Sequence, residues 1–368
     1  MLKILISASL AAILTSATAY AQEETLLPET PEDAEIHSVI VKAVDDFIRP
    51  GYRDVHASAG ALAQEMDALC EKPSDAALAE AREAFAAAAK AWAKIEIVRT
   101  GPAIEENRFE RILFYPDRKS TGLKQVQGLL AKPDESVTAP GGLSGKSVAI
   151  QGFGALEFVL AGTGSEEMAE APATFRCHYG RAVAHNIEQV AAELERLWED
   201  PEGIQQDWKE PGPDNPLFRT QQEALTALLG ILVHGAEMVR DQQIETFYKG
   251  EDSVAFPKQA IFWRSGNTWT MVEGNLQGLR DLLHVSDMVT LLPEDQSSIV
   301  ASADFVLKSM LRVSAELDSD IEAAVADEGQ RQKLDFLLLN GRDLITRLND
   351  HYGGAIGLTS GFSFSDGD

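Results

Sequence analysis

Apolar residues along most of this chain return every three or four positions. Tyr179, Val183, Ile187, Val190, Leu194 and Leu197 fall in such a register, as do Ile299, Ala303, Val306, Met310, Val313 and Leu317. A period near 3.6 gathers residues on one stripe of a helix, whereas a half-buried strand alternates at every second position. Alternating β-branched runs are almost absent, and the Ala- and Glu-rich segment 75–94 adds high intrinsic helix propensity. The pattern predicts an all-α fold built from two helical-bundle domains packed together.

Breakers divide the pattern. Pro172 followed by Thr174, a good N-cap, predicts a helix start just before Cys177. The cluster Pro211-Gly212-Pro213-Asp214-Asn215-Pro216 is the strongest punctuation in the chain. It predicts an N-terminal bundle over 22–210 and a C-terminal bundle over 217–368 with an irregular Gly/Ser-rich tail, in which Phe362 and Phe364 suggest docking. A chain of 368 residues exceeds what one hydrophobic core usually serves. Residues 1–21 read as a cleavable signal peptide: Lys3, an apolar run from Ile4 to Leu14, then Ala19-Tyr20-Ala21. That run is too short to cross a bilayer, which takes about 20 apolar residues. No cysteine follows the cleavage site, so the expectation is a soluble periplasmic protein without a lipid anchor and not membrane-embedded.

Charge and cysteine content narrow the partners. A net charge of −26 and a pI near 4.6 argue against nucleic acid and anionic membranes, and fit a soluble envelope protein or one that gathers cations. Cys70 closes one helical run and Cys177 opens another. In an oxidising compartment this even pair favours a disulfide over two free thiols.

Four segments place polar groups in apolar or aromatic surroundings. In Trp92 to Pro102, helical spacing puts Trp92, Glu96 and Arg99 on one face. In 105–118, Glu105, Arg108 and Glu110 read as a solvated face, while Arg111 and Asp117 flank aromatics and suit a cleft. The stretch 149–162 is apolar almost throughout yet carries Glu157, preceded by Gln151. A buried carboxylate needs a hydrogen-bonded partner or a metal, and Arg99 or Arg111 are the candidate cations. The stretch 261–269 holds Arg264 and Ser265 between Trp263 and Trp269 at a turn before a helix. Signatures of zincins, nucleophile elbows, P-loops and dinucleotide sites are absent. The compact His/Glu pair is His234 and Glu237, at i and i+3, a spacing found in helical metal sites.

The order of these motifs resembles the imelysin-like family of bacterial envelope proteins. It comprises Arg99-Thr100-Gly101-Pro102, Tyr115-Pro116-Asp117, the 151–160 segment, Arg176-Cys177, Trp263-Arg264-Ser265-Gly266 and the terminal Asp366-Gly367-Asp368. The resemblance implies two helical bundles and a cleft lined by these motifs, with links to peptidase activity and to iron regulation or uptake. The family signature G-x-H-x-x-E, read as a metal site, is altered here: positions 152–157 are Gly-Phe-Gly-Ala-Leu-Glu. Gly154 stands at the histidine place and Glu157 alone survives.

The resulting expectation is a non-catalytic periplasmic protein of iron uptake or regulation. Its cleft would be formed by Glu96, Arg99, Arg111, Asp117, Gln151, Glu157, Arg264 and Ser265, and would take an iron species, a small ligand or an envelope partner. Iron or another cation would be met by Glu157 and Glu96. The alternatives are an envelope metallopeptidase using His234 and Glu237, and a pure interaction protein docking through Trp263 and Trp269.

Overall fold

A computed structural model of the chain describes residues 30–358, so residues 1–21, read above as a signal peptide, and the terminal tail with its Phe362, Phe364 and 366–368 motif lie outside the described residues. The fold is all-α. Its longer helices are α1 (Asp33–Lys42), α2 (Arg49–Glu71), α3 (Asp75–Ile95), α4 (Thr121–Ala131), α5 (Phe153–Ala161), α6 (Phe175–Glu199), α7 (Gln221–Glu237), α8 (Thr268–Val285), α9 (Ser298–Ser314) and α10 (Glu328–Thr346). No strand occurs among the described residues. The periodic stripes of 179–197 and 299–313 lie on α6 and α9, while Leu317 falls past the end of α9 and is buried in the turn that follows.

Local chemistry sets the helix ends. Ser74 caps α3 by accepting from Ala77 N, and Thr174 caps α6 by accepting from Cys177 N at 3.2 Å. Residues 96–97 form a turn after α3, and Gly101 with φ +53 leads the chain away. Arg99 is therefore beyond the helix and does not share a face with Trp92 and Glu96, which corrects the expected register. Three π-helical segments, Ala43–Ile48, Met238–Ile244 and Arg347–Tyr352, continue helices without a break.

α2 packs along both α3 and α6, and Cys70 is bonded to Cys177 where the ends of α2 and α6 meet, with Cα atoms 5.6 Å apart. α3 packs on its other side against α8. That contact is close because α8 presents glycine: a Cβ on Gly278 would lie 2.0 Å from Lys94 O, and one on Gly274 would lie 2.5 Å from Ala93 Cβ. The buried apolar residues form one connected cluster that takes in side chains before and after the 211–216 loop. No helix among the described residues is long and apolar enough to cross a membrane.

Candidate functional site

α5 is apolar apart from Glu157, and it is buried except at Gly154, which is exposed, and Ala161, which is half-buried. It begins at Gly152, where the backbone of residues 111–112 passes so close that a Cβ would meet Ile112 O at 2.1 Å. Arg176 holds its C-terminal end: Nη1 donates to Val159 O at 3.1 Å and to Phe158 O, which also accepts from Gly162 N–H, at 3.3 Å, and Nη2 to Thr163 O just past the helix at 2.6 Å. The Arg176-Cys177 pair thus fixes α5 by one residue and bridges to α2 by the next.

Glu157, 3% exposed, points from α5 to the turn before α8. Its Oε1 accepts from the backbone N–H of Arg264 and Ser265 at 2.9 and 3.1 Å, and Oε2 faces Arg264 Nη1 at 3.4 Å. Burial raises its pKa against the opposing pull of the guanidinium and the two amides. The partner is therefore Arg264, not Arg99 or Arg111 as its apolar setting had suggested. Phe262, two residues earlier, is bulky and buried yet has φ +50, a left-handed conformation that such side chains rarely adopt. Strain of this kind gathers at functional sites.

Beside this clamp opens a cleft of about 780 Å³, counting space open to solvent, walled by residues from 113–126, 148–158 and 258–264. Of the predicted residues, the cleft brings together Asp117, Glu157 and Arg264, with Ser265 attached through its N–H. Asp117 caps α4: its carboxylate accepts from the N–H of Thr121, Gly122 and Leu123 at 2.6, 2.9 and 3.2 Å. A Cβ on Gly154 would meet nothing nearer than Phe114 O at 3.9 Å, so this position faces open space.

The other predicted residues belong elsewhere. Gln151 is buried and hydrogen-bonded away from the cleft: Nε2 donates to Lys146 O at 2.8 Å and Oε1 accepts from Arg111 Nε at 3.3 Å. Arg111 also faces Glu193, at 3.9 Å. Arg108, expected on a solvated face, is instead buried and paired with Glu193 at 3.3 Å and Glu106 at 3.0 Å, because α6 covers it. Arg99 lies 4.1 Å from the Phe109 ring centroid and pairs with Glu110 at 3.0 Å.

Glu96 is buried against α8, where Oε2 accepts from Asn275 Nδ2 at 3.2 Å and Asn275 Oδ1 accepts from Gln243 at 2.7 Å. Burial pushes its pKa up to about 7, with Asn275 and Arg99 pulling the other way. Trp269 is buried and its Nε1 donates to Asp318 O at 2.7 Å, so of the two tryptophans only Trp263 lines the cleft.

These donors do not suit a transition-metal ion. Both Glu157 oxygens face protein N–H groups, the neighbouring motif position is glycine, and Glu96 belongs to a separate buried network. His234 and Glu237 hold each other at 2.8 Å on α7 and do not line the cleft. Among the described residues no three His, Cys, Asp or Glu side chains are grouped to hold a metal ion. Residues that sequence reasoning missed are Lys258 and Phe158. The ammonium lies 5.6 Å from the Trp263 centroid, and the Phe158 ring lies 5.4 Å from the Arg264 guanidinium. Arg264 and its flanking aromatics were visible in the sequence; that Phe158 and Lys258 would join them was not.

A sequence model of a peptidase family, imelysin, matches residues 48–348. Two solved structures are similar across the chain. An imelysin-like protein from Psychrobacter arcticum 273-4 has a TM-score of 0.75 at 15% identity, covering 92% of this chain and 100% of that one. A protein from Parabacteroides distasonis ATCC 8503, described as an iron-regulated protein A precursor, has a TM-score of 0.71 at 15% identity, covering 90% and 97%. No curated protein matches the sequence.

Proposed function

The chain belongs to the imelysin family, and from that premise we propose that it is a non-catalytic periplasmic binding protein of iron uptake or regulation, with the 113–126, 148–158 and 258–264 cleft as its ligand site. The observation that carries the reading is that the acids of this cleft are spent on protein donors while the cleft itself stays open at Gly154. Such a site grips a ligand without supplying the activated water that metal-dependent peptide hydrolysis needs. The name of the Parabacteroides relative supports the link to iron, and the leader-like N-terminus supports export.

The mature protein purified from its native periplasm without chelator, analysed for metals and titrated with iron species, tests the reading. We expect an iron species to bind. Gly154→Trp, which fills the cleft from a position with no neighbour to clash at Cβ, should lower that affinity at least tenfold with an unchanged thermal midpoint. Iron binding that survives Gly154→Trp would place the site elsewhere. Peptide cleavage that a chelator stops would favour the metallopeptidase.

A further inference from the structure

The cleft that the proposed function takes as the ligand site has a one-sided set of polar groups. Its two carboxylates, Asp117 and Glu157, already accept hydrogen bonds from α4 and from the 264–265 backbone. Its cations are less committed. Among the described residues the Arg264 side chain makes one hydrogen bond, from Nη1 to Glu157, although a guanidinium carries five N–H donors. Lys258 pairs at 3.3 Å with Glu322, where both side chains are more than half exposed, a contact that a ligand anion can replace at little expense.

Both cations lie against the ring of Trp263, itself part of the 258–264 lining. The Arg264 guanidinium lies 4.5 Å and the Lys258 ammonium 5.6 Å from its ring centroid. Its own Nε1 is buried and has no acceptor. Leu113, Leu123 and Val126 contribute apolar atoms to the lining.

We propose that the cleft recognises a small polycarboxylate through Lys258, Trp263 and Arg264, with the Arg264 guanidinium occupying the place beside Glu157 that a metal ion would otherwise take. A planar guanidinium fork matches a carboxylate in two parallel hydrogen bonds, and a second carboxylate of the same ligand reaches Lys258. Iron is then carried as an anionic carboxylate complex whose ligands come from the small molecule. The inference rests on the proposed function in assuming that this cleft is the ligand site.

Calorimetric titration of the mature chain with citrate, ferric citrate, inorganic phosphate and anaerobic ferrous chloride tests it. Arg264→Ala leaves Glu157 buried without its cation and is a poor probe, so the variant of choice is Lys258→Glu, with Gly154→Trp as a second. The expected result is binding of citrate, ferric citrate or both, weakened at least tenfold by Lys258→Glu at an unchanged thermal midpoint. Citrate alone would identify the free acid as the ligand, and preference for ferric citrate would identify the complex. Ferrous ion binding that Gly154→Trp abolishes, with no binding of either carboxylate, overturns the polycarboxylate and leaves the cleft. Phosphate binding as tight as citrate overturns the ligand class. Carboxylate binding indifferent to both variants overturns the cleft itself, and no binding of any probe overturns the proposal.

Discussion

Glu96 and Glu157 are two acids buried to a similar degree that meet opposite surroundings. Glu157 faces a guanidinium and two amides, whereas the hydrogen bond to Glu96 comes from Asn275, a neutral amide. Glu96 therefore keeps its proton up to about pH 7 in the folded state, while in the unfolded chain it loses it near 4.5. The folded state binds the proton more tightly, so this group's contribution is full below pH 4.5, declines as pH rises to about 7, and is level above. Glu96→Gln keeps an oxygen for Asn275 and removes the ionisation. It should match the wild type near pH 4 and exceed it at pH 8 by on the order of 3 kcal/mol, read from urea unfolding at the two pH values. That each acid needed a partner was legible in the sequence. Which partner was not, because Arg264 lies 107 positions from Glu157 and Asn275 lies 179 from Glu96, and only the tertiary fold closes such distances.

At the scale of elements, apolar periodicity identified helices well because it follows directly from which face is buried. It says nothing about which element covers that face. Gly274 and Gly278 read as weak points in α8, since glycine lowers helix propensity by about 1 kcal/mol relative to alanine. In the fold they are the surface on which the C-terminal turn of α3 rests. Gly278→Ala puts a methyl group 2.0 Å from Lys94 O, a backbone atom that cannot rotate aside. It should destabilise the protein by about 1–3 kcal/mol or more through overpacking. Gly60→Ala on α2 is the matched control, for nothing lies within 4 Å of its added Cβ. That variant should gain roughly 0.5–1 kcal/mol from propensity alone. Equal effects of the two substitutions in chemical denaturation would remove the role assigned to the α3–α8 contact.

Across the whole molecule, the disulfide and the connected core set how the chain unfolds. The two-bundle expectation drew its boundary from the Pro- and Gly-rich 211–216 loop, the only kind of evidence that composition offers about domains. Covalent and packing links add other constraints. Cys70 and Cys177 enclose a segment with a sequence separation of 107, which carries α3, α4 and α5 and hence two of the three cleft walls. Loop-closure entropy over that length contributes about 4–5 kcal/mol. The third wall, 258–264, lies outside the bridged loop but is tied to it by Glu157, and α8 is tied to it by the contact with α3. Loosening the bridge should therefore be felt by helices it does not enclose. In a Cys70→Ser/Cys177→Ser double variant we expect one transition at lower denaturant, with far-UV circular dichroism and tryptophan fluorescence coincident. Separate transitions, with the segment after residue 217 melting where it does in the parent protein, would instead mean that the two halves fold independently and that the cleft between 113–158 and 258–264 can open without unfolding either.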